Sequence, residues 1–139
     1  METYESNVVH VTASAEQVYA KLSDLENLKP LLANMPAQAT EKIKEVEITT
    51  DTCRFSVENF GKMGFQIIDK EPCKTIKFAG VDTPVEVFLW IQMVEKEAYD
   101  TKLKVTLKAD VPFMLKMMVG SKLKDGVNQM AELLSRIPY

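Results

Sequence analysis

Pro112 opens a stretch whose small and apolar residues keep helical time almost to the last residue: Phe113, Met117, Gly120, Leu123, Val127, Met130, Leu134 and Ile137. Steps of three and four place them on one face of a long helix, and such a face needs an apolar partner. The segments before it are of the opposite kind, alternating apolar and polar residues between turn signals. A chain that lays down a sheet and closes with one long, Met-rich helix predicts a helix held across a curved sheet. The space between the two is where a function would sit.

The elements follow in order. Tyr4 to Val11 reads as a first strand, with Val9 and Val11 on one face and Val8 and His10 on the other. Ser14, answered by Gln17 three residues on, forms a capping box for a helix carrying Val18, Leu22 and Leu25 on one stripe. Leu28, Leu31, Leu32 and Met35 predict a second short helix that ends at Pro36. From Glu41 the period changes to two. Val46 and Ile48 lead to a turn at Asp51-Thr52, and Cys53, Phe55 and Val57 then alternate with Arg54, Ser56 and Glu58. Phe65 and Ile67 follow the break at Asn59-Phe60-Gly61, and Ile76 and Phe78 follow the turn at Asp69 to Pro72. Val85 to Val94 is apolar on both faces, as a central strand covered on one side and partly covered on the other would be. Leu103, Val105, Leu107 and Ala109 alternate with Lys102, Lys104, Thr106 and Lys108, giving a strand with one wet face. The connections are short, so neighbours should be antiparallel. The reading is one α+β domain over residues 1–139: a curved antiparallel sheet, two short N-terminal helices and one long C-terminal helix.

Length and charge narrow the functions. A chain of 139 residues supports one domain with a real core. A net charge of −3 disfavours nucleic acid as a partner. No apolar run approaches the ~20 residues of a bilayer span, so no integral membrane association is expected. Met1-Glu2-Thr3-Tyr4-Glu5 has neither a basic nor an apolar leader region, which reads as a cytoplasmic protein with Cys53 and Cys73 reduced.

Two stretches carry a family resemblance. The first runs Val9-His10-Val11-Thr12-Ala13-Ser14-Ala15-Glu16-Gln17-Val18-Tyr19-Ala20-Lys21-Leu22-Ser23-Asp24-Leu25-Glu26-Asn27-Leu28; the second is a strand followed by Pro112-Phe113-Met114 opening the long helix. In element order and in the small-residue turn, Val18-Tyr19 and Leu22-Ser23-Asp24, the chain resembles the START-like or SRPBCC superfamily. That is the helix-grip fold of polyketide cyclases, lipid-transfer domains and plant pathogenesis-related allergens. Lys29-Pro30 stands where members often have a Trp-Pro pair. The resemblance implies an apolar tunnel between sheet and last helix, with ligands among lipids, sterols, quinones, polyketides and plant hormones. It also admits enzymes and activators of a chaperone ATPase, among which fold does not choose.

The residues themselves favour binding over catalysis. No zinc-protease, dinucleotide, P-loop or C-x-x-C motif is present, and a lone histidine, His10, cannot build a triad or a multi-histidine metal site within one chain. His10 falls opposite Val9 and Val11 and should face solvent. Gly61-Lys62-Met63-Gly64 sits between strands and reads as a turn, while Ser121-Lys122-Leu123-Lys124 matches S-x-x-K by chance inside the last helix. Cys53 reads as a small buried hydrophobe. Methionines gather on the last helix and aromatics on the strands, a composition suited to irregular apolar guests. The cavity candidates are Phe55, Val57, Phe65, Ile67, Phe78, Trp90, Leu107, Met114, Met117 and Met130. Arg54, Gln66, Gln92, Asn59 and Tyr99 are the polar groups that would orient a ligand if they faced inward; Tyr99, Glu58 and Asp69 are the acid–base candidates. The expected function is binding of a small apolar or amphipathic ligand, lipid-, quinone- or polyketide-like, in a cavity of ~300–1,000 Å³. No cofactor is expected, and the protein should be a monomer or homodimer. The alternatives are a cyclase or dehydratase acting on an aromatic or polyketide-like substrate, and a protein-interaction module.

Overall fold

The last sheet strand organises the molecule. The computed structural model describes residues 2–30, 43–57, 61–137 and 139, with the side chains of residues 43, 57, 113, 115, 116, 118 and 119 outside that description. The strands are β1 (Glu2–Glu5), β2 (Val9–Val11), β3 (Ile43–Ile48), β4 (Thr52–Val57), β5 (Gly61–Glu71), β6 (Thr75–Val81), β7 (Val87–Glu97) and β8 (Asp100–Ala109). Helix α1 spans Ala15–Leu22, a 3-10 turn follows at Leu25–Leu28, and helix α2 spans Phe113–Ser135. All pairings are antiparallel in the order β1-β8-β7-β6-β5-β4-β3, and β2 also pairs with β8. Leu31, Leu32 and Met35 of the expected second helix lie outside the described residues.

The single strand expected from Tyr4 to Val11 is instead two. Glu2–Glu5 pairs with Thr106–Ala109 and Val9–Val11 with Thr101–Leu103, which leaves Ser6 to Val8 as a break. Ser6 splices it: its N–H donates to the Val105 carbonyl at 2.8 Å, and its hydroxyl accepts from the Val105 N–H at 2.9 Å. A side-chain oxygen thus does the work of the missing strand carbonyl and satisfies the Val105 N–H.

Helix α2 is seated on this same edge. It packs against β8, β1 and β2, and Val127, Ala131 and Leu134, with Ile137 just beyond its end, are buried there. Asn128 accepts the Asn7 N–H through Oδ1 at 2.7 Å, and the Lys124 ammonium donates to the Glu5 carbonyl. The break therefore turns backbone groups toward the helix and fastens it. At the other end of the core, α1 has its capping box: the Gln17 N–H donates to Ser14 Oγ at 3.1 Å and the Ser14 N–H to Gln17 Oε1 at 2.9 Å. Val18 and Leu22 of α1 join the core.

One cross-strand row shows the register. Ile67, Phe78, Leu89, Leu107 and Tyr4 stand side by side on five strands, on the face that meets α2. Beside it, β4 and β5 approach closely at Gly64, where an added Cβ would lie 2.4 Å from the Cys53 carbonyl oxygen. Gly126 in α2 has open space at the same position. Gly64→Ala should therefore destabilise the protein by about 1–3 kcal/mol, whereas Gly126→Ala should stabilise it by about 0.5–1 kcal/mol. Urea denaturation of both variants checks the pair; a neutral Gly64→Ala would mean that the two strands are free to separate.

Candidate functional site

The period of two divides each strand between an inner face toward α2 and an outer face. On β7 the buried residues are Leu89, Ile91 and Met93, so Phe88, Trp90 and Gln92 point outward. Trp90 is thus not a lining residue of the space between sheet and helix, contrary to the sequence expectation. Its ring packs against Phe88 at 6.1 Å, with the Lys77 ammonium 5.2 Å from its centroid and the Lys108 ammonium 5.6 Å from it. The second apolar face of β7 is covered by lysine stems rather than by another layer.

The inner face has two parts. Ile67, Phe78 and Leu107 are buried in the core, and Met130 is partly buried against it. Further along, toward β3, the inner face is apolar but only half covered. Ile48 lies opposite Cys53, Cys53 opposite Phe65, and Phe55 opposite Met63. The Phe55 and Phe65 rings are 6.4 Å apart and tilted by 34°. Val57 holds the next inner register position, opposite Gly61; its side chain lies outside the description. Burial pushes the Cys53 thiol above its ordinary value, so this cysteine stays protonated and acts as part of the apolar wall.

The structure corrects the placement of two methionines. Met114 is 79% exposed and Met117 76% exposed. At 3.6 residues per turn, Met114 falls on the side of α2 opposite Leu134, and Met117 on the flank of the buried stripe. Met114 and Met117 therefore face the outside and not the sheet.

The polar candidates also face outward. Arg54 pairs with Asp82 at 3.4 Å, Gln92 accepts from the Thr106 hydroxyl at 2.9 Å, and His10 lies 3.4 Å from Asp100. Gln66 and Asp69 are exposed, as is Tyr99 in the β7–β8 turn; Glu58 and Asn59 lie outside the described residues. One polar group on the inner face is one the sequence pattern does not point to. Tyr4 ends the row of Leu107, and its hydroxyl is buried with no hydrogen-bond partner among the described residues. Such an orphan costs about 1–3 kcal/mol unless something answers it. Counting back by twos from Val9 and Val11 puts Tyr4 outside; the break at Ser6 shifts the parity and brings it in.

This arrangement, one helix lying in the grip of a curved antiparallel sheet, defines the helix-grip, SRPBCC-type class. Solved structures of that shape match nearly the whole chain. Norcoclaurine synthase from Thalictrum flavum, in complex with dopamine and hydroxybenzaldehyde, is 17% identical with a TM-score of 0.75, covering 97% of this chain and 84% of that one. A solution structure from Thermobifida fusca is 14% identical with a TM-score of 0.67, covering 97% and 91%. A crystal structure from Thermus thermophilus is 17% identical with a TM-score of 0.65, covering 96% and 94%. At these identities the likeness establishes the fold alone. No curated protein sequence matches the chain significantly. The family model for CoxG, the carbon monoxide dehydrogenase G subunit, matches residues 8–136, and the chain belongs to that family. Among the described residues, no helix is long and apolar enough to cross a membrane.

Cys53 reports on the inner wall. Peptide mapping after treatment with iodoacetamide at pH 8 should find Cys53 alkylated at least about tenfold more slowly in the folded protein than in urea. Equal rates would place its thiol in solvent.

Proposed function

We propose that the protein binds a small apolar or amphipathic ligand, lipid-, quinone- or polyketide-like, on the inner face of the sheet. The observation that carries this reading is the half-covered apolar wall formed by Ile48, Cys53, Phe55, Met63 and Phe65. Isolated apolar residues on a surface need no explanation, but five in cross-strand register on a concave face form a surface that gains from a guest. The fold supports the same reading, because the family and its structural neighbours share a hydrophobic ligand-binding architecture.

Binding fits the chemistry of this wall better than catalysis does. Its titratable group is the Cys53 thiol, which burial keeps protonated and poorly nucleophilic. General acid–base work asks for a group whose pKa is poised near the working pH. The family adds a carbon monoxide dehydrogenase as the partner enzyme to test by co-purification.

Native mass spectrometry of protein purified from its own host should show a bound species, and extraction should return an apolar molecule. Phe65→Asp should abolish uptake of that molecule, with circular dichroism confirming that the variant folds. Tyr4→Phe, at the opposite end of the strand order, should leave that uptake unchanged and stabilise the protein by about 1–3 kcal/mol, because it removes a buried hydroxyl with no partner among the described residues. Ligand uptake undiminished by Phe65→Asp would refute the inner-face site.

A further inference from the structure

A second site lies away from that wall. An open groove of about 850 Å³ runs across one end of the sheet, between the β5–β6 turn, the far half of β7 and the near half of β8. Its lining includes four lysines, Lys74, Lys96, Lys102 and Lys104, against two glutamates, Glu71 and Glu95, although the chain as a whole carries −3.

The carboxylates do not neutralise the centre of this groove. Glu95 accepts the Ala15 N–H at 2.9 Å and so serves the start of α1. Glu71 lies in the same turn as Lys74. Lys104 is paired with Glu5 at 3.1 Å. Asp100, which stabilises the Lys102 charge from the β7–β8 turn, is shared with His10. Lys96 and Lys102 both line the groove, Lys102 in register between Val94 and His10, and neither has a carboxylate in ion-pair contact among the described residues. Lys96 holds Lys102 below the ordinary lysine value, first by a hydrogen bond and then by charge repulsion. Two ammonium groups brought together in this way gain from an anion that bridges them. Beside them the groove exposes carbon: Val94 is 60% exposed and Val8 53% exposed.

We propose that this groove binds a small anionic amphipath, an oxyanion head held between Lys96 and Lys102 with an apolar tail along Val94 and Val8. The head is a carboxylate or a phosphate monoester, since both offer oxygens to two lysines. The site is separate from the inner wall: Gln92, Val94, Lys102 and Lys104 stand on the outer face, in register as Gln92 opposite Lys104 and Val94 opposite Lys102. It stands or falls independently of the function proposed above.

The test titrates the full-length protein by calorimetry with dodecanoate, dodecyl phosphate and dodecanol, each below its micelle concentration. A Phe65→Asp background removes binding at the inner wall. Both anions should bind, dodecanol should not, and raised salt should weaken the anions. Lys96→Gln with Lys102→Gln should weaken them about threefold to tenfold, and both lysines are on the surface, so folding is preserved. Val94→Asp should reduce binding further. The stronger of the two anions identifies the head group. Equal binding of dodecanol and dodecanoate, or anion binding indifferent to the double lysine variant, would overturn the proposal.

Discussion

Everything in this protein hangs on β8. It pairs with β7 along one edge and with both halves of the N-terminal strand along the other, and α2 lies across it. Its inner residues Leu103, Val105 and Leu107 are buried, and Thr101 donates its hydroxyl to the Ala13 carbonyl at 2.7 Å, tying the turn before α1 to the same strand. A strand with that many obligations has no freedom of register. A slip of one residue would send Leu103, Val105 and Leu107 to solvent and Lys102, Lys104 and Lys108 into the core. The clean alternation of β8 in the sequence is therefore the feature that makes the rest of the sheet determinate.

Placing α2 at this edge shapes what the other edge can do. The helix covers the inner face where β1, β2 and β8 meet, and it is fastened there through Asn128 and Lys124. The wall formed by β3, β4 and β5 lies at the opposite end of the strand order. Phe55 and Phe65 are held to each other and not under the helix stripe of Val127, Ala131 and Leu134. Among the described residues α2 covers the sheet at one side and α1 packs against β7, while the apolar wall of β3, β4 and β5 is only half covered. Binding function in such a fold is the use made of that surplus.

The element order, the capping box of α1, the buried stripe of α2 and the two faces of β8 are legible in the sequence because each rests on local periodicity. What is not legible depends on a single residue or on the direction of a face. Ser6 interrupts the first strand with no glycine or proline to mark it, and one extra residue there reverses the parity of Tyr4. Trp90 escapes the pattern because β7 is apolar on both faces, so period alone does not say which set faces α2. The neighbours resolve it: Lys108 and Lys77 stand opposite Phe88 and Trp90, and lysines mark the wet side. Met114 shows the converse limit, since apolar character alone makes it a lining candidate although its helical phase sets it opposite Leu134. Of the ten cavity candidates, Phe55 and Phe65 fall on the open wall, and Ile67, Phe78, Leu107 and Met130 fall in or against the core behind it.

The outer face carries its own logic. Residues Phe88, Trp90, Gln92 and Val94 run down β7 between Lys77 on β6 and Lys102, Lys104 and Lys108 on β8. At one end the lysine stems lie over the rings and the charge is spent on cation–π contact, with the Lys77 ammonium 5.0 Å from the Phe88 centroid. At the other end Lys102 has Val94 across from it on β7 and His10, itself paired with Asp100, across from it on β2, and it interacts with Lys96. The same strand pattern thus produces a self-satisfied surface at Trp90 and an unsatisfied one at Lys102. The difference lies in what the β7 residue offers the lysine across from it. An aromatic ring satisfies the cation internally, whereas a valine leaves it to be answered from outside.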